Sequence, residues 1–373
     1  SQGSMRNEPT GLSCYIMVRL HMVGKIDIPL FEHLLNDVLS RHPLLGTLLD
    51  DKGLVPCLRS APEVPKISIE VEDISHLDDK SIEAHILQAE NALIDWRWDL
   101  HKAPLFCLRF LKTAHNSWEL LFHADHMVID GYSAVVLFME LLHVYDATLA
   151  GEPLPKIYEE HPFSWYAWLS SCREKTNRYK RDMEWHLEDF TPPPPRCAMP
   201  MKRNPGMVGD VIFRTYHSPT QADMLAGLRE VIAEDPSVSV NSILLAGLFK
   251  LVNVWTAEND LVINLPLLNR EHFLPASRNV VGSFIDLLPL RLRTSFSEPI
   301  LTMARRLEKI MREKLERPVS SIALSREIAR RSGLQGSLSS IIFSNSISLM
   351  RAEYLHHETY DIADMPYVFT GAP

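Results

Sequence analysis

The spacing of apolar and polar residues along the chain predicts a succession of strands and helices. Apolar residues recur at helical spacing in some stretches, and alternate or run together in others. The predicted helices cover residues 28–40, 79–96, 132–149, 165–187, 218–232, 239–255, 299–316 and 320–331. The predicted strands cover residues 13–23, 41–50, 67–71, 117–123, 211–217, 261–270 and 339–348. Residues 98–112 are predicted to form a turn followed by a strand, and residues 279–293 a strand pair or a bulged strand. Both halves of the chain mix the two periodicities, which indicates the α/β class.

One stretch, residues 118–142, combines a buried strand with a buried helix. An apolar strand precedes the polar residues His123, Asp125, His126 and Asp130, and Gly131 then opens a helix that is apolar on most faces. This order places imidazole and carboxylate groups at a helix N-terminus inside the protein. Burying such groups is costly unless they are paired, so this stretch is the best candidate for chemistry.

The proline run TPPPPR at residues 191–196 can form neither a helix nor an inner strand. We therefore predict a linker at residues 188–207, between an N-terminal lobe at 13–187 and a C-terminal lobe at 208–373.

Composition argues against several classes of function. The formal net charge of −9 argues against binding to nucleic acid. Five cysteines without C-x-x-C spacing favour free thiols in a reducing compartment over disulfides or a zinc site. No uninterrupted apolar run is long enough to span a membrane. These features predict a cytoplasmic enzyme.

Four segments resemble the condensation domains of nonribosomal peptide synthetases, and they occur in that family's order. His126, Asp130 and Gly131 match the core of the family's H-H-x-x-x-D-G motif. The other three segments are RHPLL from residue 41, WDLHKAPLFCLRFL from residue 98, and LNR at 268–270 followed by VVGSFIDLLPLRLR. Four ordered matches make the resemblance specific.

The resemblance implies two chloramphenicol-acetyltransferase-like lobes that form a V, with a tunnel between them and His126 near its middle. It implies acyl transfer from a phosphopantetheine thioester to an amine or hydroxyl acceptor. The donor would be an acyl or peptidyl carrier protein, or acyl-CoA. The arm arrives with the substrate, so no tightly bound cofactor and no metal are expected.

The resemblance also assigns roles around the histidine. An imidazole supplies a neutral nitrogen near pH 7, and acyl transfer needs both help with the acceptor's proton and a stabilised oxyanion. Asp130 is expected to pair with Arg270 and so to tie the two lobes together. Gly131 is expected to let the backbone approach closely and to offer an N–H to the oxyanion.

The chain departs from the condensation pattern at Asp125, which replaces the first histidine of the motif. Asp125, Asp130 and Ser133 fit D-x-x-x-x-D-x-x-S, the signature of the heterocyclization branch, and Ser344 aligns with a threonine used there. That branch condenses and cyclises a Cys, Ser or Thr acceptor. The resemblance further implies a helix before residue 13 and a latch segment after residue 373. A degenerate, non-catalytic docking domain is the remaining alternative.

Each candidate also has a simpler structural interpretation. Asp125 holds the loop by a hydrogen bond, Ser133 is an N-terminal cap-type group, and Ser344 is an ordinary strand serine. His123 packs or makes a supporting hydrogen bond. A metal site formed by His123, Asp125 and His126 is disfavoured, because strand alternation splits the three between two faces. The basic helix face at residues 305–314 is a solvated surface or, alternatively, a docking site for an acidic carrier protein.

Overall fold

The computed structural model describes residues 15–50, 57–60, 63–96, 98–154, 163–195, 199, 222–268, 270, 279–333, 338–344, 356–357 and 360–361. The strands are β1 (Tyr15–Val23), β2 (Thr47–Asp50), β3 (Cys57–Ser60), β4 (Glu70–Asp73), β5 (Phe106–Ala114), β6 (Ser117–Asp125), β7 (Asp260–Leu268), β8 (Ile285–Arg293), β9 (His356–His357) and β10 (Tyr360–Asp361). The helices are α1 (Ile28–Ser40), α2 (Asp79–Ile94), α3 (Gly131–Ala150), α4 (Phe163–Glu174), α5 (Asn177–Asp189), α6 (Ala222–Glu234), α7 (Val240–Thr256), α8 (Ile300–Leu315) and α9 (Ser321–Ser332). A short 3-10 helix, Pro43–Gly46, precedes β2.

The chain divides into two compact units. The first contains Ser1–Ala167, Phe273–Phe284 and Ser346–Pro373, and the second contains Trp168–His272 and Ile285–Asn345. The mixture of strands and helices in both units confirms the predicted α/β class.

The first unit is organised around a sheet in the order β1-β6-β5-β4. β6 runs antiparallel to both β1 and β5, while β4 is parallel to β5. Alternate residues of the central strands point to opposite faces, as the period of two requires. One face packs on α1 and α3 through residues that include Leu120, Phe122 and Ala124. The other face carries Leu121 and packs on α2.

The second unit has a related plan around the antiparallel pair β7-β8. Its larger core joins α7 and α8 to one face of the strands, through residues that include Phe249 and Leu290. Its smaller core joins α5 and α9 to the other face, in one cluster that contains Tyr179, Val262 of β7 and Leu324. Pro289 lies in β8, which pairs with β7 on one side only among the described residues, as expected for a residue without a backbone donor.

Several element predictions need correction. The single helix predicted at 165–187 is wrong: two helices, α4 and α5, are separated where the Thr176 side chain accepts a hydrogen bond from Tyr179 N and caps α5. Among the described residues of the predicted strand at 339–348, only Ile342 makes a strand-like bridge, to Asn264. The predicted strand at 211–217 lies outside the described residues.

The division into units also differs from the predicted linker at 188–207. The chain passes from the first unit to the second after Ala167, within α4. Residues 177–189 join the second unit because Tyr179 and Leu187 pack with residues of α9. Residues 273–284 return to the first unit.

Within the described chain, α3 is long and apolar enough to cross a membrane by length and composition. Eight of its side chains are buried in the core, among them Leu137, Leu141 and Tyr145. Packing inside the first unit therefore accounts for its apolar character.

Candidate functional site

The candidate site begins where β6 ends. The register pairs Tyr15 of β1 with Asp125, and Ala124 lies beside Phe106 of β5, so the end of β6 is held between two neighbouring strands. Leu105 O also accepts a 2.8 Å hydrogen bond from Asp125 N. The residues that follow therefore start from a rigid base.

Asp125 shapes the turn after β6. Its Oδ1 accepts a hydrogen bond from Met127 N at 2.9 Å, and its backbone O accepts one from Val128 N at 3.2 Å. A carboxylate that bonds the N–H two residues later makes an Asx turn, which fixes the backbone locally. Asp125 is buried, with 6% of its surface exposed. The bond to Met127 N is the hydrogen bond expected of a residue that holds the loop, and any part that Asp125 takes in the chemistry stays a prediction.

His126 is the first residue after the strand and is partly exposed. Val128 and Ile129, in contrast, are fully buried and anchor the loop to the core of the first unit. Among the described residues, no hydrogen bond or ion pair to the His126 imidazole is found. Its ring nitrogens are therefore available to a ligand, as an acid–base group must be.

His123 has a different environment. It is fully buried, its ring stacks on Trp98 with centroids 5.5 Å apart, and it lies 5.2 Å from the Tyr15 ring. The expected packing role for His123 is confirmed. No group of three or more His, Cys, Asp or Glu residues that could hold a metal is found in the part of the chain that the structure describes.

Cys107 lies opposite His123 in the β5-β6 register. Burial raises the pKa of the Cys107 thiol to about 11. At neutral pH this cysteine is a protonated thiol, so the adjacent cysteine and histidine do not form an activated nucleophile.

Asp130 caps α3 and also binds a distant segment. Its Oδ1 accepts from Ser133 N at 2.7 Å, and its Oδ2 accepts from Phe284 N at 2.9 Å. Asp130 N donates to Gly282 O at 3.1 Å. Asp130 is fully buried, and these bonds use both carboxylate oxygens.

Ser133 also binds that segment. Its Oγ donates to Gly282 O at 2.5 Å and accepts from Gly282 N at 2.9 Å. The expectation that Ser133 is the cap-type group is wrong: Asp130 is the N-cap, and the Ser133 backbone N–H is what it caps. The reason is geometric, because the N-cap acceptor must precede the N–H groups of the first turn.

Sequence reasoning gave no role to Gly282, which the structure places at the centre of this network. An added Cβ would lie 2.5 Å from Phe163 Cδ2 and 2.9 Å from Leu44 Cδ2. The signal in the sequence is a glycine between Val281 and Ser283, in the VVGSF segment that resembles the condensation-domain family.

Gly131 is the first residue of α3. The first N–H groups of a helix have no partner within the helix, and the helix dipole makes that end positive. His126 thus lies five positions before the start of α3. The positive end of this helix can stabilise a negative charge that develops nearby.

The remaining predicted site residues lie in the second unit. Arg270 is 2% exposed, and its pairing with Asp130 stays a prediction. Ser344 is exposed. Residues 271–278 and 345–350, which flank them, are outside the described residues.

The basic face of α8 is less uniform than predicted. Arg305 pairs with Asp235 at 2.8 Å, and Arg306 pairs with Glu298 at 2.7 Å. Lys314 does not belong to a solvated face: its side chain is 1% exposed and pairs with Asp189 at 2.9 Å. Burial lowers the pKa of the Lys314 ammonium, and Asp189 opposes that shift.

Comparison with known proteins identifies a common architecture. A family model described as Condensation domain matches residues 5–352. Bacitracin synthase 1 of Bacillus licheniformis is 23% identical over 326 residues, which are 87% of this chain and 6% of that synthase. The chain therefore spans a small part of that relative's length.

Two solved structures show the same fold. The EpoB NRPS cyclization-docking bidomain from Sorangium cellulosum has a TM-score of 0.74 and 21% identity, covering 92% of this chain and 68% of that one. A variant of the starter condensation domain of rhizomide synthetase RzmA, in complex with C8-CoA, has a TM-score of 0.75 and 20% identity, covering 90% of this chain and 74% of that one. The predicted fold class, α/β lobes of the chloramphenicol-acetyltransferase type, is confirmed.

Proposed function

The chain belongs to the condensation-domain family, and on that premise we propose that it is an acyltransferase with His126 as its acid–base residue. The donor is a phosphopantetheine thioester carried by a carrier protein or by CoA. The acceptor is an amine or a hydroxyl, and the product is an amide or an ester. The protein acts in the cytoplasm without a tightly bound cofactor.

The observation that carries this proposal is the contrast between His126 and the rest of its loop. The two flanking aspartates are fixed by backbone N–H groups, whereas the partly exposed imidazole has no hydrogen-bond partner within the described residues. A fixed loop that presents one free imidazole suits proton transfer to a bound substrate.

The reaction follows from these positions. The acceptor nitrogen or oxygen attacks the thioester carbonyl, and a new C–N or C–O bond forms while His126 takes the acceptor's proton. The Gly131 N–H, helped by the positive end of the α3 dipole, stabilises the tetrahedral oxyanion. The C–S bond then breaks, and the departing thiolate receives the proton from His126. No electrons are exchanged with a second reagent.

The test is intact-mass analysis of a panel of acyl-CoA donors and acyl carrier proteins, each with an amine or hydroxyl acceptor. Because the rhizomide synthetase domain was solved with C8-CoA, an eight-carbon acyl-CoA is the first donor to try. Removing a general base slows such a step by about 10²–10⁴-fold, so His126→Ala should lose product to that extent.

The matched control is His115→Ala, because His115 is exposed in the turn between β5 and β6. This variant should keep the wild-type rate. Normal product formation by His126→Ala would overturn the assignment of the base. Failure of the wild-type protein to consume any thioester would favour the docking-domain alternative.

Heterocyclization is a second candidate, supported by Asp125, Asp130 and Ser133. Asp125 holds the turn after β6, whereas Asp130 and Ser133 make their bonds at the start of α3. Their spacing fits the signature of that branch. With a Cys, Ser or Thr acceptor, this activity gives a product lighter by one water than the linear amide. Loss of the cyclised product alone in Ser344→Ala would support it, and a purely linear product from the wild-type protein would exclude it.

A further inference from the structure

A short segment next to β8 is bonded to the start of α3. We call residues 282–284 the strap. The chain leaves the first unit at Phe284, and β8 begins at the next residue. Four of the hydrogen bonds within the described residues join the strap to α3 and its N-cap: two involve the Ser133 hydroxyl and two involve Asp130.

The Ser133 hydroxyl makes two of these four hydrogen bonds. It donates to the carbonyl and accepts from the N–H of the same residue, Gly282, which is 149 positions away. Ser133 is fully buried, so water cannot replace either bond. One hydroxyl thereby bonds both backbone groups of Gly282, whose carbonyl also accepts from Asp130 N.

The strap in turn fixes one end of the His126 loop, residues 126–129. Asp125 holds the start of this loop through Met127 N. Asp130 holds its end, and both the backbone N–H and one carboxylate oxygen of Asp130 bind the strap. A displacement of the strap therefore moves Asp130 and, with it, the backbone that carries His126.

We propose that Ser133 is a positioning residue for His126, acting through Gly282 and the strap. This inference rests on the proposed acyltransferase function. Because a reacting group displaced by about 1 Å can lose about 10²-fold in rate, a hydroxyl that never touches substrate can control the chemical step.

The second unit provides a matched control. Ser242 is the third residue of α7, as Ser133 is of α3, and it is also fully buried. The Ser242 hydroxyl donates to Ser239 O at 2.9 Å and accepts from Ser239 N at 2.9 Å. On substitution, Ser242 likewise loses a bond to the N–H and a bond to the carbonyl of one residue, together with a 3.4 Å bond from Ser239 Oγ. These bonds all lie within the capping box of α7, in which Ser239 is the N-cap, whereas the bonds of Ser133 reach a distant segment.

The experiment compares Ser133→Ala, Ser133→Cys and Ser242→Ala in the full chain. The measurements are melting temperature, kcat and KM with whichever acyl-CoA the wild-type protein consumes, taken well below the lowest melting temperature. Ser133→Ala should lower kcat by about tenfold to 100-fold with little change in KM. Ser242→Ala should lower the melting temperature comparably and leave kcat unchanged.

Ser133→Cys should fall between wild type and Ser133→Ala, because a thiol is a weaker donor and acceptor of similar shape. NMR of a protein with labelled histidine should show a changed His126 imidazole signal in Ser133→Ala and not in Ser242→Ala.

Two results separate the inferences. An active wild-type protein in which Ser133→Ala and Ser242→Ala change kcat by the same factor would overturn the positioning role alone. A wild-type protein that transfers no acyl group would instead overturn the proposed function. If Ser133→Ala does not fold, equal kcat values for Ser133→Cys and wild type would still overturn the positioning role.

Discussion

Asp130 and Phe284 are 154 residues apart in sequence, yet the Phe284 N–H donates a 2.9 Å hydrogen bond to Asp130 Oδ2. The other oxygen of the same buried carboxylate caps α3 by accepting from Ser133 N. One side chain thus joins a local function, ending a helix, to a long-range function, holding the strap. The Phe284 ring extends this attachment, with its centroid 5.0 Å from that of Phe163 and 4.6 Å from that of Tyr166 in α4.

Removing the Asp130 carboxylate should destabilise the protein more than an ordinary cap substitution. Asp130→Ala removes the carboxylate that accepts from two buried N–H groups, at about 1–3 kcal/mol each, so we expect a loss of about 2–6 kcal/mol in the free energy of unfolding. Asp130→Asn keeps one acceptor oxygen and should lose about half as much. Urea denaturation measures both.

The control for that comparison is Asp78→Ala. Asp78 caps α2 at an exposed position and accepts one hydrogen bond, from Ser81 N at 2.8 Å. Its loss should cost about 1 kcal/mol. Equal losses for Asp78→Ala and Asp130→Ala would mean that the bond to Phe284 contributes nothing to stability.

Gly282 should not tolerate even a methyl group. In Gly282→Ala the new Cβ would lie 2.5 Å from Phe163 Cδ2, so the ring or the strap must move, at about 1–3 kcal/mol. Gly247 in α7 is the control, because a Cβ there meets nothing within 4 Å. Gly247→Ala should stabilise the protein by about 0.5–1 kcal/mol, since alanine favours a helix interior. Gly282→Ala should therefore lower the melting temperature and the free energy of unfolding in urea, and Gly247→Ala should raise both. A stabilised Gly282→Ala would contradict the close packing.

Asp125 should act through its turn and not as a base. Asp125→Asn keeps an oxygen that can accept from Met127 N, whereas Asp125→Ala removes it. We therefore expect Asp125→Asn to stay within about threefold of the wild-type kcat and Asp125→Ala to fall by about tenfold or more. Steady-state kinetics with an acyl-CoA donor decide the matter. If both variants lose activity equally, the negative charge of Asp125 takes part in the chemistry.

Local patterns in the sequence predicted the elements well where one face of each is buried. The helix predicted at 28–40 has those bounds, because Leu34, Leu35 and Val38 form one apolar stripe against the sheet. The helix predicted at 132–149 differs from α3 by one residue at each end. The break at Thr176 was missed because the apolar spacing continues across it, and only the cap geometry ends one helix and starts the next.

The site was predictable in its residues but not in its connections. Motif spacing identified His126, Asp130 and Ser133, since these lie within eight positions of one another. The bonds from Asp130 and Ser133 to the strap join distant parts of the chain through backbone atoms of Gly282 and Phe284. Nearly every residue type carries the same backbone donor and acceptor, so these bonds cannot be predicted from residue identity. The exception is the need for a glycine where a Cβ would clash.

His186 should make the stability of the protein depend on pH in the mildly acidic range. Its ring is fully buried, and Nε2 donates to Arg317 O at 2.7 Å. Burial, followed by the positive charge of Lys314, lowers the pKa of His186 from 6.5 to about 4. A proton added to Nδ1 would have no acceptor in the described part of the chain.

The direction of this pH dependence follows from whether the folded or the unfolded state binds the His186 proton more tightly. Between about pH 4 and pH 6.5 the unfolded chain protonates this histidine and the folded chain does not, so the free energy of unfolding should fall as the pH falls through that window. A shift of this size corresponds to about 3 kcal/mol when complete. Above pH 6.5 the contribution is constant.

His186→Gln isolates this contribution, because glutamine can still donate to Arg317 O but does not titrate. Other titrating groups are common to both proteins, so the informative quantity is the difference in unfolding free energy between wild type and variant, measured in urea from pH 4 to pH 7.5. Relative to the variant, the wild-type protein should lose stability steadily below pH 6.5. A difference that stays constant across this range would show that the folded protein protonates His186 as readily as the unfolded chain does, and that the buried ring carries its charge without penalty.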